Sequence, residues 1–154
     1  MTLVKTTKSR RLALSFAATD VIILGLVIHF FVPGDVASLI ADALYTVMVY
    51  LVLAVILPRA KRAWLALAAF AISALIELAQ LTGVPEQLAV SFPPSRLVFG
   101  TTFSALDLVA YAVGAVAVYY ADTIISARLS ARSSASDSAS DSASGAQWRP
   151  TQPE

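Results

Sequence analysis

The 154-residue chain contains no cysteine, a single histidine (His29) and only 14% charged residues. Without thiols there are no disulfides, thiolate nucleophiles, zinc thiolate sites or iron–sulfur clusters. One histidine cannot build a multi-histidine metal site, so neither a metal nor any other cofactor is expected. Charge of one sign is also lacking: 11 Lys and Arg stand against 10 Asp and Glu, a net +1. No basic excess of that size recruits nucleic acid. The charged fraction is far below the roughly 25% of a soluble domain. In its place are 58% hydrophobic residues and a mean hydropathy of +0.75.

The apolar residues fall in four blocks, 12–32, 36–57, 63–82 and 103–125. Each approaches the ~20 residues that cross a bilayer as a helix. The breaks carry helix-stopping chemistry: Pro33-Gly34-Asp35, then Pro58-Arg59-Ala60-Lys61-Arg62, then a longer connection over 83–102 with Pro85, Pro93 and Pro94. The expected fold is an all-α bundle of four transmembrane helices spanning 12–126. A basic N-terminus, 1–11, precedes it and a tail, 127–154, follows it. The tail repeats Ser134-Ala135-Ser136-Asp137 as Ser138-Ala139-Ser140-Asp141 and again as Ser142-Ala143-Ser144-Gly145. It has too little apolar surface to offset chain entropy, so a disordered tail without a catalytic role is expected.

Lys and Arg near span ends resist export. Lys5, Lys8, Arg10 and Arg11 precede the first span, Arg59, Lys61 and Arg62 separate the second from the third, and Arg128 and Arg132 follow the fourth. One topology puts them all on the cytoplasmic side, with both termini inside and only Arg96 outside. Trp64, Tyr119 and Tyr120 then fall at the inner interface, where aromatic belts form. Read instead as a cleaved signal peptide, residues 1–43 would end at Ala41-Asp42-Ala43. The apolar run is too long for a signal core, carries Asp20 and leads straight into another span.

Ionisable groups inside the spans are the informative residues, because one at the bilayer centre costs about 2.5–3.5 kcal/mol on insertion scales. They are Asp20, Asp42, Glu77 and Asp107. On the third helix Ala69, Ser73, Glu77 and Gln80 share one stripe, a small-residue seam ending in a carboxylate and an amide. On the fourth, Ser104, Asp107, Tyr111 and Gly114 do the same, and Asp42 with Tyr45 gives the second a weaker polar face. If the stripes meet, carboxylates gather near the external mouth of the bundle, beside Arg96. Glu77, Gln80, Arg96, Asp107 and Tyr111 are the candidate ligand-binding residues, with Asp20 and Asp42 secondary.

Each has a structural reading too. Asp35 follows Pro33-Gly34 and fits an N-cap. Asp107 could close a capping box with Ser104, while Phe103 and Leu108 form a hydrophobic staple. Glu77, deep in its helix, could simply hydrogen-bond between helices. Arg96 could pair with Glu77 or Asp107, or bind phosphate. Asp122 near Arg128 reads as a solvated acid and His29 as an interfacial side chain.

The run Gly100-Thr101-Thr102-Phe103-Ser104-Ala105-Leu106-Asp107-Leu108-Val109-Ala110-Tyr111-Ala112-Val113-Gly114, with Glu77-x-x-Gln80 before it and Gly34-Asp35 earlier, resembles a bacterial membrane family of unknown function, DUF2809. The resemblance covers roughly 12–125. More distantly, Glu77, Gln80, Asp107 and Gly114 resemble the pattern of VanZ-like envelope proteins, in which Asn is usual where this chain has Tyr111. What the resemblance implies is an envelope-associated function in the bacterial cytoplasmic membrane, with no established reaction.

Three functions follow as expectations. The first is binding of a polar or lipid-linked envelope component, such as a membrane lipid, through the external polar cluster. The second is a proton-coupled transporter or subunit, for which four spans without a repeat would require a homo-oligomer or a membrane-protein partner. The third is a scaffold whose cluster is purely structural. An intramembrane hydrolase is the weakest reading, because no nucleophile–base pair or metal set accompanies the carboxylates.

Overall fold

A computed structural model describes residues 3–95, 98 and 103–147. Five α-helices carry these residues: α1 (Leu3–Phe31), α2 (Asp35–Ile56), α3 (Arg62–Gln80), α4 (Val84–Ser91) and α5 (Ala105–Gln147), with a 3₁₀ turn at Pro93–Ser95. No strand occurs among the described residues. Four stretches are long and apolar enough to cross a membrane: Arg10–Phe31, Asp35–Ile56, Arg62–Gln80 and Ala105–Arg132. The four-span, all-α expectation is met, with boundaries shifted by one or two residues at most ends.

The helix ends follow from local chemistry. Between α1 and α2, Gly34 adopts φ 116° and ψ 157°, a conformation open to glycine and costly for other residues. It serves as the N-cap and puts Asp35 one position later, in the first helical turn. The expected capping role of Asp35 is therefore corrected. Its charge still complements the partial positive charge of the helix N-terminus.

Pro58 lies beyond the end of α2, and the chain reverses in a tight turn closed by Ala60 N–H to Leu57 O at 3.0 Å. The Arg10 guanidinium reaches across from α1 and donates to Pro58 O at 3.3 Å. At the end of α3 the Thr82 hydroxyl donates to Ala79 O at 2.6 Å. Gly83, left-handed at φ 71°, then starts α4, whose first turn accommodates Pro85 because that position needs no N–H donor. The long connection after α3, expected as a loop, thus holds a helix and a 3₁₀ turn.

Chain contacts divide the molecule into two units, Met1–Tyr119 and Tyr120–Glu154. In the first, Ala18, Tyr50, Leu51, Ala54, Leu65, Ala69 and Val118 form the buried core. Small residues at these contacts let backbones approach, as expected where lipid supplies no hydrophobic driving force between helices. Gly114 on α5 shows the limit. A Cβ there would overlap the Ala43 carbonyl oxygen on α2 and stand 3.0 Å from its carbon. Outward-facing positions such as Phe16, Leu75 and Val113 are large, apolar and exposed, which suits a surface solvated by acyl chains.

In the second unit α5 continues as a helix to Gln147, through repeats expected to lack fixed structure. Ala is the strongest helix former and occupies many of these positions. Serine hydroxyls bond back along the helix, Ser130 to Ser126 O at 3.0 Å and Ser134 to Ser130 O at 3.1 Å. Such bonds satisfy the hydroxyls but add no packing.

Candidate functional site: a carboxylate cluster within the bundle

The seam on α3 repeats every four residues as Leu65, Ala69, Ser73 and Glu77, and all four are buried. Apolar and small residues lead to a serine and then to a carboxylate, one helical turn apart. Glu77 is completely buried, as are Thr46 and Tyr50 on α2. Halfway along the seam the Thr46 hydroxyl donates to Ser73 Oγ at 3.0 Å.

Both carboxylate oxygens of Glu77 are engaged by the helix that follows 27 residues later. Oε1 accepts the backbone N–H of Ser104 at 2.5 Å. Oε2 accepts the Tyr111 hydroxyl at 3.0 Å. Ser104 immediately precedes the first residue of α5, so Glu77 caps that helix from α3. In the capping box expected from sequence, the Asp107 side chain would have bonded the Ser104 N–H. A distant carboxylate holds that donor instead, and the box is corrected to an interhelical cap. The Asp107 N–H donates to Ser104 O at 3.1 Å, closing the first turn. Capping from α3 places a carboxyl group against the positive end of α5 and gives each of its oxygens one donor.

Asp42 on α2 lies within electrostatic reach of Glu77 and Asp107. Tyr111 lies within reach of all three acids. Its ring packs 6.5 Å from that of Tyr45, centroid to centroid. Asp42 Oδ2 is buried and makes no hydrogen bond. Asp107 is half-buried. The polar stripes of α2, α3 and α5 therefore converge, and the group they form is rich in acceptors, with the Tyr111 hydroxyl as a donor within it. Among the described residues, no group of three or more His, Asp and Glu has an arrangement able to hold a metal ion.

The other candidates stand differently. Gln80 is half-buried in the last turn of α3, past Glu77 on the same helix. Arg96 lies outside the described residues. Asp20 is exposed on α1 and is not among the acids in reach of Asp42 or Tyr111. His29, also exposed, meets the Phe30 ring edge-on at 5.1 Å. Asp122 accepts the Ser126 hydroxyl at 3.1 Å. Thr46 was not anticipated. It lies one turn beyond Asp42 on α2, and an i, i+4 reading from that acid would have included it.

No curated protein and no solved structure matches the chain. The family described as Protein of unknown function (DUF2809) matches residues 31–115. That segment holds Asp42, Glu77, Asp107 and Tyr111, the glycine at the α2–α5 crossing, and more than half of the 154 residues. The matched segment takes in the acids of the cluster, all of α2 and α3 and the first turns of α5, and the chain belongs to the DUF2809 family.

Proposed function

We propose that the protein is a multi-pass membrane protein that binds a polar or lipid-linked envelope component through the cluster around Asp42 and Asp107. The observation that carries this reading is the buried, unbonded Oδ2 of Asp42, within electrostatic reach of a Glu77 whose two oxygens each already hold a donor. An acceptor left without a partner in a low-dielectric setting is costly, and a ligand donor removes that cost. Glu77 and Tyr111 are then the fixed frame, and Asp42 and Asp107 are the groups that meet the ligand. The acceptor-rich chemistry suits a head group bearing hydroxyls or amines. The cationic segments on one side of the spans support a bacterial cytoplasmic membrane location with both termini inside, which puts the cluster in the external half. The Glu77-x-x-Gln80 and Asp107 to Gly114 spacing, similar to that of VanZ-like proteins, supports an envelope role.

A purely structural cluster is the second reading, favoured by the complete engagement of Glu77. Mass spectrometry of lipids co-purifying with the full chain separates the two. Under the binding reading an envelope component is retained by the native protein and lost from Asp42→Asn, with thermal stability unchanged. Absence of any retained component, or equal retention by Asp42→Asn and Asp107→Asn, overturns it. Proton flux in proteoliposomes that disappears in Asp42→Asn would instead establish the proton-coupled alternative.

A further inference from the structure

The contact from Arg10 Nη1 to Pro58 O joins positions 48 residues apart. It brings together two cationic segments, Arg10-Arg11 at the start of the first span and Arg59-Ala60-Lys61-Arg62 in the turn between α2 and α3. No Asp or Glu occurs from residue 1 to 19 or from 43 to 76, so each segment lies in a stretch of chain free of acids. Arg11, Arg59 and Lys61 are exposed. Leu12, Phe16, Leu57 and Trp64, neighbours of these charges along the chain, add exposed apolar and aromatic surface on the same helices and turn.

We infer that this basic end of the bundle is a binding site for the head group of an anionic phospholipid, with Arg11, Arg59 and Lys61 as the phosphate-facing groups. Guanidinium forks match phosphate oxygens in pairs, while an ammonium adds a compact charge. Basic clusters at the ends of membrane helices attract acidic lipids over a Debye length. Arg10 contributes as a positioning residue: by holding the turn against α1 it lets one head group be met from both segments at once. This exposed apolar surface makes the occupant a lipid and not free phosphate. Acyl chains lie along Leu12, Phe16 and Trp64, whereas an inorganic anion gains nothing from them.

The test is native mass spectrometry of the full chain in neutral detergent, with phosphatidylglycerol and phosphatidylcholine supplied in equal amounts. Retention of phosphatidylglycerol over phosphatidylcholine by about tenfold or more is expected. The preference should vanish in Arg11→Gln/Arg59→Gln/Lys61→Gln. It should survive in Arg11→Lys/Arg59→Lys, which keeps the charges. Arg10 and Arg62 stay in place in both variants, and helix content by circular dichroism reports whether each has folded. Equal retention of the two lipids by the native chain overturns the inference whatever the variants do, and so does an unchanged preference in the folded triple variant. Millimolar inorganic phosphate should leave the acidic lipid bound; its displacement would assign the site to a soluble anion instead.

Discussion

Removing the Tyr111 hydroxyl isolates one of the two bonds that Glu77 accepts. Tyr111→Phe leaves a buried carboxylate oxygen without its donor, which should destabilise the protein by about 1–3 kcal/mol in a detergent unfolding titration. Glu77→Gln should cost less than Glu77→Leu. The amide oxygen can still accept the Ser104 N–H, whereas leucine strands that N–H and the tyrosine hydroxyl together. The reverse order would mean that Glu77 does not cap α5. For Thr46 and Ser73, a double-mutant cycle with Thr46→Val and Ser73→Ala should return a coupling of about 0.6 kcal/mol, typical of hydroxyl pairs between membrane helices. At this scale the sequence shows which residues are polar within the spans and which face Glu77 shares with Ser73. It does not show who holds the Ser104 N–H. Asp107 is the local choice by spacing, and Glu77 wins through a contact between elements that no local pattern records.

Among the elements, the crossing of α2 and α5 is set by Gly114. Gly114→Ala puts a methyl group into the Ala43 carbonyl, whose oxygen belongs to a helix backbone and cannot swing aside. The helices must separate, so a loss of about 1–3 kcal/mol is expected, read as a lowered unfolding midpoint, although alanine has the higher helix propensity. The first span offers the opposite case. Asp20 is exposed on α1, mid-span, and Asp20→Leu should favour membrane insertion of this helix by about 2.5–3.5 kcal/mol in a glycosylation-based insertion assay. No gain would mean that a partner helix covers the acid. Span lengths and breaks are legible because bilayer thickness and proline leave few choices. The helix within the connection after α3 is not, since eight residues around Pro85 carry no decisive period. Nor is the exact start of α2, where Gly34 takes the capping position that an aspartate reading assigns to Asp35.

For the whole molecule, the distribution of its 11 Lys and Arg predicts the orientation of all four spans. The absence of cysteine makes this directly measurable, since every introduced thiol is the only one in the chain. Ala60→Cys should react with an impermeant maleimide only after cells are opened, and Thr82→Cys in intact cells. Labelling of both from the same side would refute the topology and with it the external placement of the cluster.

Because the fourth span is capped by a side chain from the third, α5 on leaving the ribosome completes a bond prepared by α3. A nascent chain halted after Gln80 would hold a dry carboxylate with neither of its donors yet synthesised. Until α5 arrives, that carboxylate lacks both of its partners, so the third span is expected to pack stably only once the fourth has been inserted.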